Sequence, residues 1–491
     1  MILLRGKIFF PVALVLLATG CTVGPKYQRA SAPVPAHWDV PTPWRESAPQ
    51  DALAKGEWWS VFHDDSLNAL ERDALGANQS LKIAAAHLEQ ARASAALQVS
   101  TQFPQIGTSP AAQRQRLSGN RPTSSNFPAT GAVTQSTYTL PFTVSYEVDL
   151  FGRRRRTIEG AQAAYQASAA DLENTRLIVT AELAGDYFTL RQVDTQLGIL
   201  HRTVDALSKG LELVNSRHSG GIASGLDVAQ EETLLNTTRT QAILLQQQRK
   251  QLEDAIAILV GKPAPDFHLD SKELDAEPPS INAGLPSDLL ERRPDIAEAE
   301  REMAIANAQV GIARAAYFPS LNLFADGGWQ AADIAKLINV QSTIWAFGAT
   351  AAESIFTGGA RRAQTQFAKA GYDASVAGYR QTVLAAFGEV QDDVNGIIVL
   401  NDAQKSQQDT VDAARRTLDI AESRYKGGLV SYLDVVNAQQ NLLNNEQEMA
   451  VIRGQKLVTS VLLVKALGGG WDASSLSALQ VKPKLKDVVA P

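Results

Sequence analysis

The stretch YTLPFTVSYEVDL, residues 138–150, alternates apolar and polar side chains with a period of two. Its even positions, from Tyr138 to Leu150, are aliphatic or aromatic, and its odd positions carry small polar, acidic or proline residues. Successive side chains of a strand point to opposite faces. The pattern therefore predicts a β-strand with one apolar face that suits contact with lipid.

The pattern changes directly after this strand, at Phe151-Gly152. Apolar residues now recur at steps of three, four or seven, the spacing of a helix seam with gentle left-handed supercoiling. They are Val179, Leu183, Tyr187, Leu190, Leu197, Leu200, Val204, Leu207, Leu211 and Val214. Because no proline stands between Pro141 and Pro263, we predict one helix from Gly152 to Arg217, roughly 100 Å long. A strand fit for lipid joined to such a rod indicates a protein that starts in a membrane and projects far from it.

The same order of elements occurs twice, each time as a helix, two strands, a long helix and a return helix. The predicted helices are 66–100, 152–217 and 226–260 in the first half and 288–316, 358–424 and 433–466 in the second. The clearest predicted strand is 138–150. In the second half a strand begins over 321–329 and a candidate with weaker alternation covers 343–356, and a poorly alternating candidate lies between 105 and 135. The turn motif Arg217-x3-Gly221-x5-Asp227 returns as Arg424-x3-Gly428-x5-Asp434, at an offset of 207 residues.

This repetition predicts the organisation of the whole chain. The expected segments are a signal peptide at 1–20, an N-terminal strap at 21–65, a first repeat at 66–262, a linker at 263–287, a second repeat at 288–467 and a C-terminal equatorial tail at 468–491. The element lengths predict the packing as well. Helices 226–260 and 288–316 together match the long helix 152–217, and helices 66–100 and 432–466 together match the long helix 358–424, so we expect two short helices end to end beside each long one.

The amino terminus has the features of a secretory signal. Arg5 and Lys7 precede the apolar run Ile8–Ala18, which is too short to cross a membrane and ends in Ala18-Thr19-Gly20-Cys21. Cys21 is the one cysteine of the chain and stands at the predicted cleavage point. This resembles a bacterial lipoprotein box, which implies lipidation of Cys21; the alternative is a plain signal peptide with an incidental cysteine.

Composition excludes several classes of protein. One cysteine rules out a disulfide framework and a thiolate metal cluster, and the six histidines show no ligand-like spacing, so no metal site and no cofactor are expected. A formal net charge of −6 spread over 491 residues gives no case for binding nucleic acid. We find no nucleophile elbow, zinc spacing or phosphate loop, and we therefore predict that the protein is not an enzyme.

The strand count requires assembly. Four strands per chain cannot close a barrel, because the smallest closed bacterial barrels have eight, and open edges in lipid leave backbone groups unpaired. A dimer would give eight strands and a filled lumen, whereas a trimer gives twelve and room for water. Small polar residues on the second face of the strand, such as Thr139, Thr143 and Ser145, favour the trimer.

Two further motifs support a family resemblance. They are LPSDLLERRPDI at 285–296 and AAYFPSL at 315–321, beside the paired turn motifs and VDLFG at 148–152. With the predicted lipid-type cysteine and the internal repeat, the chain resembles the TolC-like outer membrane factor family, in its lipoprotein branch resembling OprM and NodT. The resemblance covers residues 21 to about 470.

The resemblance implies a fold, a function and partners. It implies an α+β membrane protein, a tandem-repeat protomer giving a trimeric 12-stranded β-barrel continuous with a long α-helical barrel. It implies the exit duct of a tripartite efflux pump for small toxic compounds, in the outer membrane and periplasm. The implied partners are a homotrimer, a periplasmic adaptor, an inner-membrane transporter often of the resistance-nodulation-division type, and outer-membrane lipid.

The resemblance also implies roles for individual residues. Adaptor docking falls on Arg217, Gly221 and Asp227 and on Arg424, Gly428 and Asp434, although glycine-capped turns with an aspartate helix cap would look the same. Relatives resembling OprM narrow the tip with a leucine and, four residues later, an aspartate. The matching pair here is Leu433 and Asn437, so we expect a gate held mainly by leucine packing, with less affinity for cations.

Other interpretations remain open at this stage. The run Arg153–Arg156 would either pair with anionic groups at the membrane surface or form a solvated face. A coiled-coil envelope scaffold without a pore would share the long helices but does not explain the alternating strands. An exit duct for type I protein secretion or for metal efflux would share the whole architecture.

Overall fold

The computed structural model describes residues 22–35, 56–120, 131–279 and 289–482. The main helices are α1 (Asp65–Ala77), α2 (Gln79–Ser100), α3 (Arg153–Ser219), α4 (Gly225–Leu259), α5 (Pro294–Ala315), α6 (Ala360–Lys426) and α7 (Tyr432–Ala466). The strands are β1 (Gln105–Thr108), β2 (Ala111–Leu117), β3 (Val133–Val148), β4 (Ser320–Ala331) and β5 (Thr343–Ala352). The two long helices, α3 and α6, have 67 residues each, which corresponds to a length of about 100 Å.

The strands form one antiparallel sheet with four positions. β1 and β2 pair with consecutive parts of β3 and together occupy one position in the sheet. They are two strands because Pro110, which lies between them, has no N–H to donate to the ladder. β3 pairs with β4, and β4 pairs with β5. The predicted strands are therefore present, although β3 begins earlier than expected and β5 ends at Ala352 rather than Phe356.

The register gives this sheet two chemically different faces. Cross-strand partners point to the same side, and Phe142, Val144 and Tyr146 of β3 stand opposite Gly327, Ala325 and Leu323 of β4. These β4 residues in turn stand opposite Trp345, Phe347 and Ala349 of β5. The other face carries Thr139, Thr143 and Glu147 with their partners Gln330, Asp326 and Asn322. One face is thus apolar across three strands, and the other carries most of the polar residues, together with Phe324 and Ile344.

Helix order follows strand order. α2 leads into β1, β3 leads into α3, α5 leads into β4, and β5 leads into α6, so the helices lie side by side as α2, α3, α5 and α6. The expected pairing of α4 and α5 with α3 is present. The expected pairing of α2 with α6 is wrong within the protomer, because the sheet places α2 next to α3 and gives α6 the neighbours α5 and α7.

A second expectation, one continuous helix over 66–100, is also wrong. The helix breaks at Asn78, whose backbone leaves the helical region and whose side-chain oxygen accepts a hydrogen bond from the Leu81 N–H at 3.1 Å, the geometry of a helix N-cap. The same side chain donates a hydrogen bond to the Leu259 carbonyl at the end of α4, at 2.8 Å. An asparagine within an alanine-rich helical pattern therefore marks the point where α1 ends and α2 begins, beside the end of α4.

The strap that follows Cys21 lies over the helices. The Val23 N–H donates to the Phe151 carbonyl at 3.1 Å, and the Pro25 carbonyl accepts from Arg156 Nη2 at 2.7 Å. Gly24 crosses Gly311 of α5 so closely that a Cβ on Gly24 would lie 2.8 Å from the Gly311 Cα. Cys21 itself lies outside the described residues, so its lipidation stays a prediction; its neighbour Thr22 lies against Gly152, at the junction of β3 and α3.

The largest core lies around the middle of α3, where α1, α4, α5, α6 and α7 meet. Its largest fully buried side chains include Trp59, Tyr187, Phe188 and Tyr379, and Trp58 donates its indole N–H to the buried Thr180 hydroxyl at 3.1 Å. A separate apolar core lies at the far ends of the long helices. None of the described helices is both long enough and apolar enough to cross a membrane.

Candidate functional site

The turn between α3 and α4, which we call the first tip (residues 217–227), reverses the chain in few residues. The Arg217 carbonyl accepts from the Ile222 N–H at 2.8 Å, and Gly221 takes a φ of +73°, a value that favours glycine. The Ser224 hydroxyl accepts from the Asp227 N–H at 3.2 Å while the Asp227 carboxylate accepts from the Ser224 N–H at 3.0 Å. This capping box starts α4.

The turn between α6 and α7, the second tip (residues 424–434), repeats this geometry. The Arg424 carbonyl accepts from the Leu429 N–H at 2.9 Å, Gly428 has a φ of +71°, and Ser431 forms a capping box with Asp434. The sequence-predicted glycines are therefore required by the turns, and the aspartates are helix caps. The local geometry alone explains these four residues, and their role in docking stays a proposal.

Arg217 is the predicted site residue that joins the two tips. Its guanidinium lies over the Tyr425 ring, 4.9 Å from the ring centre, and Tyr425 packs against Tyr432 with ring centres 4.8 Å apart. Burial raises the pKa of the Tyr425 hydroxyl, although nearby Arg217 partly opposes this effect. Arg424, the matching residue of the second tip, is exposed. The equivalent arginines thus have different surroundings in the protomer.

The predicted gate pair, Leu433 and Asn437, lies on one exposed face of the first two turns of α7. Residues four apart on a helix are neighbours on its surface, and 47% of the Leu433 side chain is accessible in the protomer. The pair can therefore face an axis shared with other copies. Leu433 would present an apolar side chain to that axis, and Asn437 would present a neutral amide where relatives resembling OprM have an aspartate.

Two apolar residues at the tips were missed by sequence reasoning. Ile222 and Leu429 directly follow the two glycine pairs and are 72% and 71% exposed. They occupy equivalent positions in the repeat and project from the extreme end of each hairpin. The signal was present, since an apolar residue follows Gly-Gly in both halves. Two exposed apolar side chains at the end of a rod favour contact with a partner.

The arginine run at the junction of β3 and α3 binds carboxylates of its own chain. Arg153 and Arg154 contact Glu147 at 2.6 and 3.1 Å, and Arg155 contacts Asp149 at 3.1 Å. Arg156 is buried and holds the strap, as described above. Arg153 and Arg155 remain exposed while they pair with these acids, so the run is a partly solvated face whose charges are matched by Glu147 at the end of β3 and by Asp149 directly after it.

The contacts of Arg293 explain part of the motif LPSDLLERRPDI. The Arg293 side chain is buried and donates to Asp295 through two hydrogen bonds of 3.0 and 2.7 Å, to Glu389 of α6 at 2.7 Å and to the Ala466 carbonyl at the end of α7 at 3.0 Å. Pro294 begins α5, as its fixed φ favours. The motif therefore joins three helices and is not itself placed at the tips.

The family model described as outer membrane efflux protein matches residues 70–262 and 285–469 of this chain. Among curated proteins, a probable efflux pump outer membrane protein, TtgC of Pseudomonas putida, is 33% identical over 92% of this chain and 93% of its own length. The pyoverdine export outer membrane protein OpmQ of Pseudomonas aeruginosa is 32% identical over 90% of this chain and 94% of its own.

Solved structures show the same architecture. The outer-membrane channel OprN is 28% identical, with a TM-score of 0.83 over 92% of this chain and all of that chain. The Campylobacter jejuni CmeC outer membrane channel is 25% identical, with a TM-score of 0.84 over 93% of this chain and 96% of that chain. The similarity thus includes both the sheet and the long helices.

Proposed function

The chain belongs to the outer membrane efflux protein family, and from that premise we propose that it is a passive exit duct through which small toxic organic compounds leave the cell. Its relatives carry the names of toluene, antibiotic and pyoverdine export proteins, which supports organic cargo over protein or metal cargo. The duct receives its cargo from a periplasmic adaptor and an inner-membrane transporter, of the resistance-nodulation-division type.

The observation that carries this proposal is the pair of faces on the sheet. Its apolar face suits lipid, and its polar face suits water. The described sheet ends at β1/β2 on one side and at β5 on the other, and unpaired backbone groups are costly in lipid. Three copies joined edge to edge give twelve strands around a wet lumen, and the long helices continue the wall into the periplasm.

The proposed duct conducts without performing catalysis, and a lipid on Cys21 anchors it to the outer membrane. The strap supports this anchor, because Thr22 lies against Gly152 where β3 passes into α3. Purified protein in planar lipid bilayers tests the proposed function. We expect stepwise conductance, whereas a protein that inserts without conductance would favour a scaffold.

We expect the two tips to dock the adaptor through Ile222 and Leu429. Replacing both by serine removes apolar surface from the end of each hairpin while leaving Gly221, Gly428 and both capping boxes intact. Adaptor binding, measured by cross-linking from a cysteine placed at Ser219 or Lys426, should fall at least about tenfold, since two exposed apolar side chains contribute up to about 1.5–3 kcal/mol each when buried. Conductance of the purified variant should be unchanged.

The control for this variant is Leu244→Ser, which alters another exposed apolar residue on α4, remote from the tips. If the double serine variant is cross-linked to the adaptor as before while Leu244→Ser is cross-linked less, the adaptor docks elsewhere on the helices and the prediction is wrong.

Leu433 is expected to narrow the duct by packing. Replacing it with alanine shortens the side chain on the face that points to the proposed axis, and the conductance of single channels should rise. Asn437→Asp introduces the acidic group that relatives resembling OprM carry, so selectivity for cations should increase with a smaller change in pore size. Planar-bilayer recordings of both variants measure this; a Leu433→Ala variant with the original conductance would contradict the assigned gate.

A further inference from the structure

A carboxylate is buried in the apolar core of the tips. Glu231 of α4 is fully shielded from solvent, and within the described part of the chain neither of its carboxylate oxygens makes a hydrogen bond of acceptable geometry, although the Tyr432 hydroxyl lies close enough to favour the charged form. The core around the tips is formed by side chains from all four helices, among them Leu207, Val214, Leu234, Tyr432 and Val435, with Leu418 of α6 at its edge. An ionised carboxylate in apolar surroundings is costly unless it is paired.

Gly210 of α3 makes room for this carboxylate. A Cβ at Gly210 would collide with Oε1 of Glu231, and it would lie 3.7 Å from the hydroxyl of Tyr432. The Glu231 carboxylate and the Tyr432 hydroxyl thus share one space between α3, α4 and α7. Because α3 and α4 form the first tip and α7 begins at the second, Glu231 lies where the two hairpins of one protomer meet.

Among the described residues, the titratable groups that act on Glu231 are a hydroxyl and a carboxylate, and neither is a cation. From α7 it faces the Tyr432 hydroxyl, and from α6 it feels the carboxylate of Glu422; α3 presents Gly210, and the adjacent Lys209 is exposed. Burial raises the pKa of the Glu231 carboxyl, the Tyr432 hydroxyl partly opposes this effect, and Glu422 adds to it. The next residue on α4, Glu232, points to solvent.

We propose that Glu231 is a proton-sensitive latch between the two tips of each protomer. With its proton, the carboxyl is neutral and allows α7 to pack closely on α3 and α4. Without its proton, it favours separation of the second tip from the first, because water can then reach the charge. This inference rests on the proposed function, since it assigns a control to the periplasmic end of the same duct.

The sign of the pH effect follows from linkage. Below the usual carboxyl pKa of about 4.3, Glu231 carries its proton in both arrangements, and close packing is fully favoured. As the pH rises above that value, the packed tips must take up a proton or hold a buried charge. Packing then weakens by up to about tenfold per pH unit until the raised pKa is reached. Acid therefore closes the tips, and higher pH favours opening.

The test uses the purified full-length protein in planar bilayers between pH 5 and pH 8. The open probability of the original protein should rise with pH, and the Glu232→Gln control should behave in the same way. Glu231→Gln is close in shape and cannot ionise, so its open probability should stay at the low value over the whole range. Tyr432→Phe removes the hydroxyl that favours the charged form in the packed tips. The rise in open probability should therefore start at the same pH but continue to higher pH before it levels off.

A second measurement reports on the tips without requiring conductance. Spin labels on Ser219→Cys and Lys426→Cys, one on each tip, give distances by double electron–electron resonance, and the distance within a protomer should lengthen as the pH rises only while Glu231 is present. If Glu231→Gln channels conduct with the same pH dependence as the original protein, the latch is wrong, and the proposed duct is unaffected. If no variant conducts, the duct is wrong, and label distances that do not change with pH overturn the latch as well.

Discussion

Replacing Arg293 with alanine is expected to destabilise the protein by about 1–3 kcal/mol, since the buried Ala466 carbonyl and two partly exposed carboxylates lose their donor. The side chain is 9% exposed and joins α5, α6 and α7 through Asp295, Glu389 and the Ala466 carbonyl. An alanine at this position cannot donate side-chain hydrogen bonds to these two carboxylates or to the carbonyl. The cationic group also lies at the end of α7, where a positive charge is favoured.

Thermal unfolding followed by circular dichroism at 222 nm, at one detergent concentration, measures this loss. Arg293→Lys keeps the charge but not the fork of donors, so it should fall between the original protein and the alanine variant. Arg72→Ala removes an exposed arginine of α1 and should change the midpoint little. Equal midpoints for Arg293→Ala and Arg72→Ala would show that the motif does not fasten the helices.

Replacing Asp194 with alanine is expected to release the segment that follows α4, at a cost of about 3–5 kcal/mol, because the charges left behind are largely buried. Asp194 lies on α3 with no accessible side-chain surface and accepts from Arg191 at 2.9 Å and from Arg249 at 2.7 Å. It also accepts from the Ser271 hydroxyl at 3.1 Å and the Lys272 N–H at 3.2 Å. Without this carboxylate, two partly or fully buried guanidinium groups repel each other.

Hydrogen exchange resolves this effect, because the loss should be local. Peptides that cover residues 267–274 should exchange much faster in Asp194→Ala, while peptides from the sheet keep their protection. Asp205→Ala, at an exposed position of the same helix, is the matched control. Unaltered protection of residues 267–274 in Asp194→Ala would mean that apolar contacts of Phe267 and Leu269 suffice to hold the segment.

Periodicity predicted the elements that depend on one helix or strand alone. The two long helices follow from the spacing of apolar residues over many helical turns, which leaves few alternatives. The strands β3, β4 and β5 follow from the alternation of apolar and polar residues. The turns followed from the two glycine pairs, in which the second glycine, Gly221 or Gly428, has a positive φ. The break at Asn78 did not, because a single asparagine is compatible with either a helix or a cap until its partner, the Leu259 carbonyl, is known.

Neighbours between elements were predicted less well. The lengths of the helices suggested that α2 would lie beside α6, but strand order decides which helices meet, and that order comes from long-range pairing. For the arginines 153–156 the sequence left pairing with anionic groups at the membrane surface and a solvated face open. It did not show that Glu147 and Asp149 of the same chain pair with Arg153 and Arg155, because those contacts depend on the angle between β3 and α3. Glu231 was missed because its burial depends on Gly210, which is 21 residues earlier in the chain.

The central claim is that copies of this chain join their sheets around one shared axis filled with water. Cryo-electron microscopy of the purified protein in lipid nanodiscs tests it directly. We predict three protomers around one axis, with twelve strands in the bilayer, the apolar face of Phe142 and Phe347 toward lipid and the polar face of Thr143 and Asp326 toward the lumen. A single protomer embedded in the bilayer with its strand edges unpaired by another copy would contradict the claim.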